Sequence, residues 1–181
     1  MTTDNLDRHT LRQQAGFTLI EVIIVVVVIG IMAAIAIPSL RGFTDSSDVT
    51  AATNDLVSAF NLARSEAVTR GATVTVCKSA NQATCTVGGT NWEQGWIVFL
   101  DDDGNGSFNG PDRVLRAYQS PGGNVLMTAD ANLANRVIYL ATGFMSQTAP
   151  VPADDLIIIS AGASQLNVQV SAMGRVRSFR P

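Results

Sequence analysis

A long apolar stretch near the N-terminus places the strongest constraint on this chain. From Phe17 to Ile37 there are 21 residues, and Glu21 is the only charged one among them. As an α-helix that rises about 1.5 Å per residue, the stretch is roughly 30 Å long, which is the thickness of a bilayer core. Because an unpaired carboxylate in hydrocarbon is costly, Glu21 indicates a partner that arrives later, such as the terminal amine of another chain. The alternative is a plain signal anchor with a chance glutamate.

The sequence around this glutamate has a specific form. Residues 16–21 read Gly-Phe-Thr-Leu-Ile-Glu, and an unbroken apolar run follows them. This segment resembles the processing site of type IV pilins and pseudopilins. The resemblance implies that a prepilin peptidase removes residues 1–16 as a leader peptide by cutting after Gly16, and that Phe17 is then N-methylated. It also implies that Glu21 neutralises the terminal amine of a neighbouring subunit as the filament grows.

The charges that flank the apolar stretch predict its orientation. Arg8 and Arg12 precede it, and no comparable basic pair follows it directly. Since basic residues stay on the cytoplasmic side, the leader should remain in the cytoplasm while the rest of the chain crosses the inner membrane. The resemblance to pilins implies a periplasmic globular domain and later incorporation into a pilus or pseudopilus, with other major and minor pilins as partners.

Length and composition limit the function classes. The 181 residues allow one ordinary domain besides the apolar helix. Without the leader the chain has 10 basic and 13 acidic residues, and this mild acidity does not favour general binding to nucleic acid or anionic lipid. The only histidine, His9, lies in the leader, so the cleaved chain has no imidazole for catalysis. We therefore expect no catalytic residues and no enzymatic activity.

The residues after the apolar stretch predict an amphipathic helix. Pro38 and Gly42 indicate a kink or local melting around residues 37–43. From about residue 45, apolar residues recur at spacings of three and four until a stop at Gly71. This apolar face consists of Val49, Ala52, Leu56, Ala59, Phe60, Ala63 and Ala67.

Beyond the helix the sequence period changes from 3.6 to 2, which predicts strands. The predicted strands cover residues 73–77, 96–100, 113–118, 125–128, 136–140, 156–159, 166–170 and 175–179. Two prolines predict a surface loop at residues 146–152.

A long helix followed by strands alone predicts an α+β fold. We expect a transmembrane helix over residues 17–44 and a globular domain over residues 45–181. Within that domain, an amphipathic helix over residues 45–70 should pack on an antiparallel sheet over residues 72–180. This arrangement is the pilin fold that the resemblance implies.

Three further segments carry a resemblance. Residues 92–99 read Trp-Glu-Gln-Gly-Trp-Ile-Val-Phe, and residues 113–116 read Arg-Val-Leu-Arg. They resemble the strand–loop–strand signature of the GspH/FimT/FimU group of minor pilins. Residues 62–71 resemble the helix end of the same group, and we interpret them as helix packing and surface pairing. The group implies a role in priming filament assembly, in a type IV pilus or a type II secretion pseudopilus.

The chain has two cysteines, Cys77 and Cys85. In an oxidising compartment outside the cytoplasm, so close a pair predicts a disulfide. A loop this short gives a stabilisation of about 2–3 kcal/mol. The alternative is two free, buried thiols.

An acidic loop follows the second predicted strand. Oxygen-bearing side chains stand at loop positions 1, 3, 5 and 12, which are Asp101, Asp103, Asn105 and Asp112, with Gly106 at position 6. This matches most of the spacing of an EF-hand loop, in which alternating oxygens surround Ca²⁺. Position 12 is Asp rather than the bidentate Glu, and strands rather than helices flank the loop. A solvated hairpin loop is the alternative that the sequence favours, since Asp, Asn and Gly tolerate turn dihedrals.

The C-terminus is basic in an otherwise acidic chain. Its last seven residues include Arg175, Arg177 and Arg180. On a strand, Arg175 and Arg177 project to the same side, where they suit two phosphates, and Phe179 offers a stacking surface. Residues 174–177, Gly-Arg-Val-Arg, also resemble the Gly-Arg-x-Arg motif through which FimT-type minor pilins contact DNA in natural transformation. DNA is thus a candidate partner; the alternative is pairing with the acidic loop or a neighbouring subunit.

Overall fold

The computed structural model describes residues 16–89, 91–146 and 155–181. Within these residues the chain forms one α-helix, one short 3-10 helix and nine β-strands. The bounds are α1 Leu19–Arg70, β1 Val74–Lys78, β2 Gly95–Leu100, β3 Arg113–Gln119, β4 Leu126–Ala129, the 3-10 helix Ala131–Leu133, β5 Arg136–Tyr139, β6 Met145–Ser146, β7 Asp155–Ala161, β8 Ser164–Val170 and β9 Val176–Phe179. The predicted leader lies outside the described residues except for Gly16, and the predicted loop at residues 146–152 does so except for Ser146.

The chain divides into two compact units, with the boundary between Ser39 and Leu40. The described part of the first unit contains the beginning of α1. This helix starts after Thr18, whose hydroxyl oxygen accepts a hydrogen bond from the backbone N–H of Glu21 at 3.3 Å, as an N-cap residue does. In the described part of the chain, α1 is the one helix long and apolar enough to cross a membrane. The predicted boundary between residues 44 and 45 stays a prediction.

Helical backbone continues through Pro38 and Gly42, because α1 includes residues 37–43. Of the two expectations for this segment, local melting was wrong and a kink stays a prediction. Proline removes only one backbone donor, and the hydrogen bonds before and after it are sufficient to maintain the helix. Glycine in a helix costs only about 1 kcal/mol relative to alanine, which neighbouring helix-forming residues offset.

The second unit buries the apolar face that the sequence predicts for its helix. Every residue of that face is at most 1% exposed: Val49, Ala52, Leu56, Ala59, Phe60, Ala63 and Ala67. Alanine side chains on this face are small enough for close packing, and the rings of Phe60 and Trp92 contact each other in a T-shaped arrangement with centroids 6.0 Å apart. Gly71 adopts a φ of +62°, which ends the helix as expected.

The strands of the second unit form two antiparallel sheets rather than one. The first sheet has the order β3-β2-β1-β5-β6, and the second has the order β4-β7-β8-β9. The helix and both sheets contribute to one hydrophobic core, which includes Leu56, Val76 and Ile157. This confirms the α+β class. The pairing of strands across two sheets depends on residues distant in sequence, so strand periodicity alone does not reveal it.

Two hairpins position the candidate sites. In the first, Leu100 pairs with Arg113, so the acidic loop of residues 101–112 connects β2 directly to β3. In the second, Val170 pairs with Val176, so a short turn connects β8 to β9 and carries the start of the basic C-terminus. Both β3 and β9 are edge strands of their sheets.

Candidate functional site

The N-terminal site consists of Gly16, Phe17 and Glu21. Phe17 is 83% exposed, and Glu21 lies in the first turn of α1 with an exposed side chain. Thr18 and Glu21 have the spacing of a capping box, but only the hydrogen bond to the Thr18 hydroxyl is formed. The Glu21 carboxylate makes no hydrogen bond or ion pair with the described residues. A carboxylate at a helix N-terminus is electrostatically favoured, and this one is accessible to an external amine.

The apolar side chains beyond Glu21 lie on the surface of their unit. The eight consecutive residues Val22 to Ile29 are each 44–62% exposed. Since an α-helix has 3.6 residues per turn, eight residues cover every side of it. A single helix has no interior in which to bury such side chains, so lipid or other helices must cover them.

A disulfide and a buried lysine hold the loop that follows β1. Cys77 and Cys85 form the predicted disulfide, and the described part of the chain contains no free cysteine. Lys78, which follows Cys77 in the chain, is 2% exposed. It donates hydrogen bonds to the carbonyl oxygens of Gly88 and Gly89 at 2.5 and 2.6 Å. Burial lowers the pKa of Lys78, and attraction to Glu93 acts in the opposite direction. The two hydrogen bonds of this lysine therefore fix the loop.

The acidic loop brings the carboxylates that the sequence singles out close to one another. One carboxylate oxygen from each of Asp101, Asp103 and Asp112 lies within 4.8 Å of the other two. Asp101 is 2% exposed, and its Oδ2 accepts hydrogen bonds from the Thr75 hydroxyl and the Gly106 N–H, both at 2.8 Å. Burial raises the pKa of Asp101, although these two hydrogen bonds act against it.

The fourth residue, Asn105, helps to order the loop. Its amide nitrogen donates to Asp103 Oδ2 at 2.6 Å, and its side-chain oxygen accepts from the Ser107 N–H at 2.6 Å. The Asn109 side chain donates to the same Asp103 oxygen at 3.1 Å and lowers the pKa of that carboxyl. Asp112 accepts from the backbone N–H groups of Asp102 and Asn109 at 3.0 and 2.8 Å.

The structure brings Arg175 and Arg177 together and places Arg180 elsewhere. All three are exposed, but the first two line one groove beside Met173, whereas Arg180 lines another groove beside Leu166. Arg177 donates from Nε to the Gln169 side chain. Among the described residues, an ion pair forms between Arg70 and Glu66. No ion pair in these ranges joins Arg175, Arg177 or Arg180 to the acidic loop. Pairing of the arginines with the acidic loop within one chain was therefore wrong, and pairing with a neighbouring subunit stays a prediction.

Arg64 fixes the turn that precedes the two arginines. Its Nε donates to the carbonyl oxygen of Gly143 at 3.1 Å. That oxygen also limits the space at Gly174, where a Cβ would lie 2.2 Å from it and where φ is +72°. Glycine is therefore required at the start of the Gly-Arg-Val-Arg segment for a packing reason.

Sequence reasoning assigned Arg64 to helix packing and did not single out Arg136. Arg136 NH1 donates to the Asn105 carbonyl at 3.2 Å and the Ser107 hydroxyl at 2.8 Å, and it is the guanidinium that fixes the acidic loop against β5. A cation in an otherwise apolar predicted strand was the available signal. The partner was not readable, because it lies 29–31 residues away in sequence.

Comparison with known families identifies the chain over most of its length. A family model of the type II transport protein GspH matches residues 52–174. A model of the prokaryotic N-terminal methylation motif matches residues 11–37, which include the candidate processing site.

Individual relatives match shorter parts of the chain. The type II secretion system core protein G of Pseudomonas aeruginosa is 49% identical over 45 residues, which are 25% of this chain and 32% of that protein. A fimbrial protein of P. aeruginosa is 48% identical over 61 residues, 34% of this chain and 39% of that protein. The matches thus span about a third of the length of these curated relatives.

The fold resembles that of a solved minor pilin. In two crystal forms, the type IV minor pilin FimU of P. aeruginosa is similar with TM-scores of 0.57 and 0.53. These matches are 16% identical in sequence and cover 76% and 72% of this chain and 92% of each FimU chain. At this identity the likeness shows the pilin fold. The chain belongs to the GspH family of type IV pilins and pseudopilins, whose members are structural subunits of pili and secretion machinery rather than enzymes.

Proposed function

We propose that this chain is a minor pilin or pseudopilin that enters a filament through the beginning of α1 and helps to prime filament assembly. In this proposal, a prepilin peptidase cuts after Gly16, Phe17 is N-methylated, and the second unit faces the periplasm from the inner membrane. Other major and minor pilins then surround the apolar helix. The match to the methylation motif supports the processing step.

The exposure of the apolar helix is the observation that carries this proposal. Residues 22–29 are about half exposed on all sides of α1. At about 25 cal/mol per Å² of apolar surface, leaving such a helix in water costs on the order of tens of kcal/mol. A lipid bilayer covers it before assembly, and a bundle of similar helices covers it afterwards. Transfer from one apolar environment to the other is what filament entry requires.

The proposal is tested by following the chain from the membrane into filaments. Epitope-tagged chain should change from precursor to processed form only in cells that contain the peptidase, and it should copurify with sheared filaments. Cells that lack this chain should make fewer filaments, and the wild-type chain should restore them. Processed chain that stays wholly in the membrane fraction, with filament number unchanged by its deletion, would refute both incorporation and priming.

A second candidate function is DNA binding by Arg175 and Arg177. The observation in its favour is that both side chains are exposed, line one groove and make no ion pair with the described residues. Two guanidinium groups suit adjacent phosphates, and contacts this few predict weak binding that falls steeply with salt. The acidic net charge of the chain restricts such binding to this surface.

DNA binding is tested with residues 45–181 across a salt series. The double variant Arg175→Ala/Arg177→Ala should lose binding at low salt. Arg180→Ala is the matched control, because it removes one nearby positive charge from a different groove. Equal weakening by Arg180→Ala would indicate non-specific charge attraction, and absence of wild-type binding at low salt would remove this candidate function.

A further inference from the structure

We propose that the acidic loop, residues 101–112, binds one Ca²⁺ ion, with Asp101, Asp103 and Asp112 as its carboxylate ligands. The sequence spacing alone left a solvated hairpin loop as the favoured alternative. The structure adds two observations that favour a bound cation over the hairpin alternative. One is the close approach of three carboxylates, and the other is a buried oxygen atom without a partner.

The first observation is the spacing of the carboxylate oxygens. The three residues each offer one oxygen, and all three atoms lie within 4.8 Å of one another. Oxygens bound to a common Ca²⁺ at 2.3–2.6 Å are separated by at most about 4.6–5.2 Å, the diameter of the coordination sphere. The three atoms thus fit around one ion. Without a cation the same arrangement concentrates like charges, which is unfavourable.

The second observation is the state of Asp101. The residue is 2% exposed, and its Oδ1 has no hydrogen-bond partner among the described residues, although Oδ2 has two. A buried carboxylate oxygen without a partner is costly, because it loses water and gains nothing in return. Asp101 belongs to the group of three carboxylates. In this proposal, Oδ1 is the oxygen that Asp101 contributes to the cation.

The surroundings of the group are consistent with a site built for a small, hard cation. Arg136 is held by the Asn105 carbonyl and the Ser107 hydroxyl, so its described hydrogen bonds do not neutralise a carboxylate. Gly106, at loop position 6, has a φ of +72°, and a Cβ there would lie 2.6 Å from an Ile138 methyl carbon. The loop backbone can therefore turn sharply at this position, as a calcium loop requires.

The ligand set predicts moderate affinity. Three carboxylates supply the charge, while the Asn105 side chain, a loop carbonyl and water would complete the six to eight oxygen ligands that Ca²⁺ takes. Asp112 is shorter than the bidentate glutamate of an EF-hand. We therefore expect a dissociation constant on the order of 10⁻⁴–10⁻³ M, and weaker binding of Mg²⁺, which demands a tighter octahedron.

The experiment uses the full chain in detergent micelles after dialysis against a chelator. Calorimetric titration with CaCl₂ should show saturable binding of one ion per chain, and Ca²⁺ should raise the midpoint of thermal unfolding. Asp103→Asn should weaken binding by at least about tenfold, because it removes a charged ligand. Asp103 is exposed, so this variant should retain the fold. Asp101→Asn should have the same effect on binding, but its buried position makes Asp103→Asn the decisive variant.

Asp102→Asn provides the matched control. Asp102 is an exposed neighbour in the same loop and is not part of the close group of carboxylates. Its removal should change the dissociation constant by no more than about twofold, since exposed charges are screened by salt. Equal losses in Asp102→Asn and Asp103→Asn would overturn the proposal, as would the absence of saturable heat and of any thermal shift up to about 10 mM CaCl₂. An equal response to MgCl₂ would overturn the assignment to Ca²⁺.

Discussion

At the scale of single residues, Glu21 combines two features that belong to different roles. Its backbone N–H is capped by Thr18, so the residue helps to start α1. Its carboxylate is exposed and makes no hydrogen bond or ion pair with the described residues. The capping contact uses only the backbone N–H of Glu21, whereas pairing with the amine of a neighbouring subunit requires a negatively charged side chain.

Replacing Glu21 separates these roles. Glu21→Gln keeps the size and the acceptor oxygen, and Glu21→Ala removes both. We expect both variants to be cleaved normally but to be depleted from sheared filaments, because each lacks the negative charge that the predicted pairing with a neighbouring amine requires. Immunoblots of membrane and filament fractions measure this. Normal incorporation of Glu21→Gln would contradict amine pairing and leave a structural role.

Lys78 gives a prediction about pH. Burial lowers its pKa below the ordinary value of 10.5. At pH values between the lowered pKa of the folded chain and the pKa of 10.5 in the unfolded chain, Lys78 is more fully protonated in the unfolded state. The contribution of this group to the free energy of unfolding therefore rises with pH in that range. In residues 45–181, the difference in this free energy between wild type and Lys78→Met should increase in favour of wild type as the pH rises toward 10.5. Urea denaturation at each pH measures it, and a constant or falling difference would show that burial does not control this amine.

At the scale of elements, the periodicity of the sequence predicted the buried helix face and the longer strands. It did not predict which distant residues contact each other. The seven residues spaced at three and four along the helix are all buried, and the longer strands lie within one or two residues of their predicted ends. A helical or alternating pattern records which side of an element is buried. The two-residue strand β6 was missed because it is too short to show alternation. The contact of Arg64 with Gly143 was also missed, since it joins residues 79 positions apart.

For the candidate sites too, the sequence identified residues but not their arrangement in space. The EF-hand-like spacing identified the residues of the acidic loop, and the structure places one oxygen each from Asp101, Asp103 and Asp112 within 4.8 Å of one another. Sequence proximity grouped Arg180 with Arg175 and Arg177, yet Arg180 lies in a different groove. Neighbours in sequence separate here because β9 ends at Phe179 and the chain then leaves the strand.

The hairpin between β8 and β9 gives a prediction at the same scale. In Gly174→Ala, the positive φ alone costs about 1–3 kcal/mol, and the new Cβ would collide with the Gly143 carbonyl that accepts from Arg64. We expect the free energy of unfolding of residues 45–181 to fall by at least about 2 kcal/mol in urea. Gly110→Ala is the control, because its Cβ would meet nothing within 4 Å. Similar stabilities of the two variants would show that the turn has room to adapt.

At the scale of the whole molecule, the two units differ in how far their apolar side chains are buried. The buried core residues run from Val49 to Val170, so the second unit has a complete core of its own. We expect residues 45–181 to be monomeric in buffer without detergent and to unfold in one cooperative transition, whereas residues 17–181 should require detergent. Gel filtration and near-ultraviolet circular dichroism measure this. Aggregated or loosely packed 45–181 would show that the core depends on the preceding residues.

The positions of arginine on the sheet edges have a consequence for crowded assemblies. Unpaired edge strands can join to the same edge of another copy and begin aggregation. Here the edge strand β3 exposes Arg113 and Arg116, and the edge strand β9 exposes Arg177. Two copies that approach edge to edge would place guanidinium groups against one another, and like charges on neighbouring strands repel. The arginines therefore disfavour the joining of two copies through their β3 edges or through their β9 edges.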